Sequence, residues 1–306
     1  WPFVKICGQD RFYDIVLPKM EDDDDDNNTI NPFSQEEEPI LKIILLDGKE
    51  LTIQQYNSHH DLWGINSTVW SGGLALLRTL SDRFSSPHKT RTTMPETTCL
   101  LDLGSGTGIV GLGLSAVTRG RMKTIVTDLP QALPLLEINR DENKSFWSQT
   151  EQHCSIAASP PTVRQLSWGD TIIHDYCVDG RQNLIITGAD VVYRPSLFAP
   201  LLCTLKELWH RTRLCGGAVE ILLACQSIRT HLNDFWEFAR REGFRLCLVS
   251  VVDVRAVCSS GDRKLDLDKI EVLNVNGVLP SVQFPPQDGR IYIVKLVIKD
   301  DGRGDV

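Results

Sequence analysis

From residue 99 to residue 298, short apolar runs alternate with longer amphipathic stretches, the pattern of strands and helices taken in turn. Aliphatic and β-branched runs bounded by turn residues predict strands over 99–103, 123–127, 163–167, 184–189, 218–225, 244–252 and 291–298. Helical periodicity predicts helices over 107–118, 130–143, 196–211 and 231–242. Such alternation implies an α/β fold, a doubly wound and mostly parallel sheet of seven strands with helices on both faces. The last two strands have no helical pattern between them. Residues 253–289 are polar, with Gly261, Gly277 and Pro285-Pro286, so a long loop is expected to join those strands antiparallel.

Upstream of this core, Leu41–Leu46 and Leu51–Gln54 flank Asp47-Gly48-Lys49-Glu50, which predicts a β-hairpin with Asp-Gly in its turn. The stretch Thr68–Leu77 suits a helix over the sheet, and the polar, Pro/Ser/Thr-rich residues 81–97 read as a loop. Before the hairpin, Ile15-Val16-Leu17 has strand character. The division expected is an N-terminal segment over 1–40 and one domain over 41–300 that includes the hairpin.

Composition adds constraints to this picture. The 306 residues suffice for a large core, and 42% hydrophobic with 24% charged is ordinary for a globular chain. No apolar run is long enough to span a bilayer and no leader pattern opens the chain, so no membrane partner is expected. Nine cysteines, odd in number and never spaced C-x-x-C, suit a reducing compartment; a cytoplasmic location is expected, or a nuclear one. The seven histidines show no ligand spacing, and no metal is expected. A net charge of −8 argues against a nucleic-acid partner. Much of that charge lies in the unbroken run Glu21–Asp26 and in Glu36-Glu37-Glu38, expected to be a solvated, disordered insertion. A sharper reading makes it an electrostatic guide for a basic protein surface.

The candidate chemistry begins at Leu100-Leu101-Asp102-Leu103-Gly104-Ser105-Gly106-Thr107-Gly108, a strand running into a glycine loop and then a helix. Glycine is required where a ligand approaches the backbone or the torsions exclude a Cβ. A dinucleotide loop places its third glycine five residues after the first, a position held here by Ile109. Glycines at 104, 106 and 108 with an acid at Asp102 instead form the pattern of an S-adenosylmethionine loop. Asp128 ends the next strand, where a carboxylate accepts hydrogen bonds from both ribose hydroxyls. Gly188-Ala189-Asp190-Val191-Val192-Tyr193 places a carboxylate and a phenol on the loop leaving a later strand, and both are expected to face the same crevice.

These residues resemble the seven-β-strand protein-lysine methyltransferases of methyltransferase family 16, especially the methyltransferase-like 21 group and its fungal elongation-factor-methylating relatives. The likeness runs from about 41 to 298 and rests on Val69-Trp70, the glycine loop, Thr127-Asp128, Leu166-Ser167-Trp168-Gly169, Gly188–Tyr193 and Leu222-Leu223-Ala224-Cys225-Gln226. It implies a Rossmann-like class I methyltransferase fold and S-adenosyl-L-methionine as cofactor. Carried over, Trp70, Gly104, Ser105, Gly106, Asp128, Trp168 and Ala189 contact the cofactor, and Asp190 and Tyr193 line the path of the lysine as catalytic residues. The implied reaction is methyl transfer to a lysine of a cytosolic protein, translation elongation factor 1-alpha first, by a monomer. The alternatives are a lysine of a chaperone or AAA ATPase, a histidine, a small molecule, or a non-catalytic binding module. The chain departs from the family where Asp102 replaces the frequent Glu. Ser71-Gly72-Gly73 after Trp70 is a second departure, expected to loosen the helix start.

Overall fold

Strands buried on both faces cannot alternate polar with apolar residues, and the central ones here do not. The computed structural model describes residues 40–56, 64–85, 98–147, 158–170, 182–255, 264–278 and 289–298. Expectations for Ile15–Leu17, the acidic runs and residues 86–97 lie outside them. The parallel part of the sheet comprises β3 (Thr98–Leu103), β4 (Lys123–Asp128), β6 (Asn183–Ala189) and β7 (Val219–Gln226), with β5 (Thr162–Gln165) parallel to β4 at the outer edge. Two more strands, β8 (Phe244–Asp253) and β11 (Ile291–Ile298), complete the expected set; β11 lies antiparallel between β7 and β8.

Among the described residues the sheet has eight strands rather than seven, in the order β10-β8-β11-β7-β6-β3-β4-β5. The eighth, β10 (Glu271–Val278), pairs antiparallel with β8 inside the stretch expected to be a loop. As an edge strand it keeps Leu273 and Val275 exposed, interposes Asn274, and shifts register before Gly277. Its solvated edge therefore shows neither an apolar run nor clean alternation. The same stretch supplies β9 (Lys264–Asp266), which joins the hairpin of β1 (Ile40–Ile44) and β2 (Glu50–Gln54) as a third strand, parallel to β1. The hairpin itself forms as expected, with Gly48 at a φ of +76° in its turn.

Helices cover both faces. On one side α1 (Ser71–Ser85) and α2 (Ile109–Val117) bury Leu74, Leu77, Val110 and Leu114 against Leu100, Ile185, Leu222 and Ile293 of the sheet. On the other, α4 (Phe198–Leu214) and α5 (Leu232–Arg241) pack Leu201, Leu205, Phe235 and Trp236 on Leu101, Ile186, Leu223 and Val294. Neighbouring strand residues thus go to opposite cores, as a period of two requires. The first turn of the loop expected after residue 80 is the end of α1, because Leu80 and Phe84 stay on its buried stripe. Helix α2 begins two residues later than expected, since Gly106 and Gly108 have φ of +54° and +85°.

Helix α3 (Leu133–Glu142), with Asn143 at its C-terminal cap, ties the hairpin to the domain by side chains that imitate a strand. Asn139 Oδ1 accepts from Gln54 N at 2.7 Å and its Nδ2 donates to Gln54 O at 3.0 Å. One turn on, Asn143 Oδ1 accepts from Thr52 N at 2.9 Å and its Nδ2 donates to Thr52 O at 2.6 Å. Both asparagines are buried, so their loss strands backbone groups of β2 without partners. We expect Asn139→Ala and Asn143→Ala each to lower unfolding free energy by about 1–3 kcal/mol in urea titration. Exposed Asp141→Ala, on the same helix, is expected to change it by less than about 0.5 kcal/mol.

Candidate functional site

The order of strands reverses between β3 and β6, and the crevice at such a reversal lies beyond the strands' carboxyl ends. Its floor is set by Asp102. One carboxylate oxygen accepts from Thr187 Oγ1 of β6 at 2.7 Å and the other from Gly111 N of α2 at 3.3 Å. Its backbone oxygen accepts from Ser105 Oγ at 3.0 Å and from Thr127 Oγ1 of β4 at 2.7 Å. Burial pushes the Asp102 carboxyl up to about 6, with the hydrogen bonds from Thr187, Ser105 and Gly111 opposing the rise. A Cβ at Gly111 would collide with Val126, which is why the helix can approach this closely only there.

Above that junction the loop turns with Gly104, Gly106 and Gly108 all at positive φ. Ser105 spends its side chain inward: its hydroxyl also accepts from Thr127 N at 3.1 Å, and its N–H donates to Thr127 O at 2.9 Å. A Cβ on Gly104 would lie 3.0 Å from the Trp168 ring and 3.2 Å from Val191, so the two expected site residues Gly104 and Trp168 are in direct contact. Gly106 N–H donates to Asp128 Oδ2 at 2.7 Å, and Leu129 N–H donates to Oδ1 at 2.7 Å. A third donor, Asn66 Nδ2, reaches Oδ1 at 3.3 Å from the turn Gly64–Ser67. The Asp128 carboxyl is nearly enclosed, and burial raises it to about 6 against the two backbone donors.

On the far wall, Ala189 ends β6 and Asp190 follows with φ of +54°, its N–H donating to Ala224 O at 2.9 Å. The Asp190 carboxylate turns under the start of α1, where Oδ2 accepts from Gly72 N at 2.8 Å. Its Oδ1 is buried without a hydrogen bond. Burial raises this carboxyl, while the positive charge of Arg229 and the N–H groups of Gly72 and Gln226 oppose the rise. The expected loose helix start is therefore absent. A Cβ at Gly72 would strike Asp190 Oδ2 and one at Gly73 would lie 2.7 Å from Ile109, so the glycine pair is what lets α1 come this near.

Trp70 immediately precedes α1, with its indole N–H on Ile65 O at 3.0 Å and the Arg229 guanidinium 5.7 Å from its ring centre. Tyr193 is half-buried beside Arg194, whose guanidinium lies 5.8 Å from its ring. Burial raises the Tyr193 phenol; the charges of Arg194 and Arg229 oppose this and that of Asp128 adds to it. Of the expected site residues, Gly104 packs on Trp168 and Gly106 is bonded to Asp128, whereas the Asp190 carboxylate faces a helix start rather than open space. The sequence reading missed Asn66, Gly72, Thr187 and Arg229. Only the Gly72-Gly73 pair carried a legible signal, the mark of a close approach.

The family described as Lysine methyltransferase matches residues 45–241. EEF1A lysine methyltransferase 3 of Mus musculus is 31% identical over 184 residues, covering 60% of this chain and 65% of that protein. Protein N-lysine methyltransferase METTL21A of Mus musculus is 35% identical over 142 residues, covering 46% of this chain and 56% of that protein. Protein-lysine N-methyltransferase EFM6 of Saccharomyces cerevisiae is 27% identical over 190 residues, covering 58% of this chain and 70% of that protein. The match to the mouse EEF1A enzyme thus spans slightly less than two thirds of that relative's length. Among solved structures, the human methyltransferase 10 domain containing protein superposes with a TM-score of 0.42 at 9% identity, over 76% of this chain and 85% of that chain.

The packing at Gly72 leads to a direct test. Gly72→Ala forces a methyl group onto the Asp190 carboxylate, and overpacking of this kind costs about 1–3 kcal/mol. Urea denaturation is expected to show that loss, and combining it with Asp190→Gly is expected to recover part of it. A double variant no more stable than the sum of the single effects would disprove the contact.

Proposed function

The chain belongs to the lysine methyltransferase family, and from that premise we propose that it moves the methyl group of S-adenosylmethionine to the side-chain amine of a lysine in a protein. The observation that carries this reading is the meeting of Gly104, Trp168, Gly106 and Asp128 at the strand reversal. Their chemistry suits that cofactor. Backbone bare of Cβ atoms forms one wall, an aromatic face another, and the Asp128 carboxylate, with about one of its four acceptor positions free, is the group we assign to the ribose diol. When bound, S-adenosylmethionine supplies an electrophilic methyl on a cationic sulfur.

The protein's own residues then orient the amine and strip it of water. Alignment of two reactants contributes as much as about 7–11 kcal/mol in well-held cases. The amine must be neutral to attack, and lysine in water has a pKa of about 10.4. Burial disfavours the ammonium, and so does the Arg229 guanidinium beside Asp190. In this reading the amine donates a hydrogen bond to Asp190 Oδ1, the oxygen that is buried without a partner, while Oδ2 stays on Gly72. Tyr193 and Trp70 present aromatic faces that favour cationic groups.

For the substrate we put forward translation elongation factor 1-alpha. The support is the name of the mouse relative, EEF1A lysine methyltransferase 3, together with the net charge of −8, which favours a basic docking surface. Incubation with labelled S-adenosylmethionine and cell lysate, followed by mass-spectrometric site mapping, is expected to place label on a lysine of that factor. Label on a chaperone instead overturns the substrate and leaves the chemistry; label only among small molecules overturns both.

Two further outcomes are expected. Asp190→Asn keeps an acceptor for Gly72 but loses the charge, so it is expected to bind S-adenosylhomocysteine normally and to lose roughly tenfold or more in kcat/KM, about 1.4 kcal/mol of transition-state stabilisation. Equal loss of binding would make Asp190 a structural post. Asp128 accepts ribose hydroxyls fully only when ionised, and its carboxyl stands at about 6. Calorimetry is therefore expected to show affinity for S-adenosylhomocysteine falling as pH drops through about 6, approaching tenfold per unit for one linked proton. Asp128→Asn is expected to bind weakly and without that pH dependence.

A further inference from the structure

We propose that Asn66 is a cofactor-binding residue that shares a ribose hydroxyl with Asp128; this rests on the crevice being an S-adenosylmethionine site. The argument is a count of lone pairs. A carboxylate accepts about four hydrogen bonds, and that of Asp128 already takes three. A ribose diol brings two hydroxyl donors, so one of the three present donors must give way. Gly106 N and Leu129 N are fixed backbone groups, each at 2.7 Å. Asn66 Nδ2 is the longest of the three at 3.3 Å and sits on a rotatable side chain. Asn66 therefore yields its place, and its amide is left beside the hydroxyl that takes it. A hydroxyl donates one hydrogen bond and accepts others. It gives its proton to Asp128 and accepts from Asn66, so the displaced amide keeps a partner.

The backbone around Asn66 is fixed well enough to hold it there. Ser67 O accepts from Tyr56 N at 2.8 Å, and the hydroxyls of Ser67 and Thr68 donate to Tyr56 O at 3.2 and 2.8 Å. Ile65 O holds the Trp70 indole from the same turn. A Cβ on Gly106 would lie 3.1 Å from Asn66 O, so the turn rests directly on the glycine loop. Asn66 is half-buried, which leaves its amide within reach of the crevice.

The test is calorimetric titration of the full chain with S-adenosylhomocysteine and with its 2′-deoxy and 3′-deoxy ribose analogues. Asn66→Ala is expected to weaken the parent ligand roughly two- to tenfold, with an unchanged melting temperature. One deoxy analogue is expected to lose less affinity in Asn66→Ala than in the wild type, because the shared hydroxyl is gone in both; a merely structural role would not move that difference. Asn66→Asp, nearly the same in shape, keeps the variant series usable if the alanine form folds poorly. It sets a second carboxylate beside Asp128 and is expected to bind more weakly still. Parent-ligand affinity equal to or tighter than wild type in Asn66→Ala would overturn the assignment to Asn66 alone. A wild-type chain that binds no S-adenosylhomocysteine would overturn the reading of the crevice itself, and the assignment with it.

Discussion

Asp102 lies inside the sheet with Thr187 of β6 on one oxygen and Gly111 of α2 on the other, while its carbonyl collects Ser105 and Thr127. Enclosing a carboxylate is costly unless its oxygens are satisfied, and here both are. The arrangement locks three strand ends and one helix start to each other. Once Ser105 is bonded to β4, Gly104 and Gly106 are forced into the left-handed region, and Gly106 N–H is aimed at Asp128. The shape of the crevice therefore follows from a residue that does not line it.

Three carboxylates, Asp102, Asp128 and Asp190, gather at one end of the sheet, and burial raises all of them. A folded-state pKa above the ordinary value means that the fold binds those protons more tightly than the open chain. For Asp102 and Asp128 the contribution to stability falls as pH rises from about 4 towards 6 and is level above that. At neutral pH the ionised acids are thus held in place by packing rather than preferred there. Cations that enter the crevice relieve this, and Arg229 already does so for Asp190. A positively charged methyl donor and a lysine side chain are the kind of ligands such a site rewards.

The central strands and the glycine loop were legible because their signals are local: apolar runs buried on both faces, and glycines where no Cβ fits. Gly104 meets Trp168, and Gly106 meets Asp128, because these residues lie at or just beyond the strand ends of one parallel sheet. What escaped depended on pairings across long stretches of chain. Strand β10 reads as a loop because a solvated edge needs no hydrophobic alternation, and β9 is too short to show a period. Gly72 and Gly73 read as a weak helix start because a sequence does not say what approaches them. The partner is Asp190, whose carboxylate was expected to face the crevice for the same reason. Asn66, between two hydrophobic stretches, carried no signal at all.

The asparagine pair on α3 has a consequence for the behaviour of this protein in concentrated solution. An outermost strand ordinarily presents a row of free amide and carbonyl groups on which a second chain can grow. Along β2 those groups at Thr52 and Gln54 are occupied by Asn139 and Asn143, and β1 on the other side is taken by β9. The β2 edge of the small sheet is thereby closed to strand-by-strand association. Among the described residues, the outer edge of β10 pairs with no further strand, and its Leu273 and Val275 are exposed. Growth of a second chain along the hairpin by an added strand is, by contrast, blocked at the β2 margin.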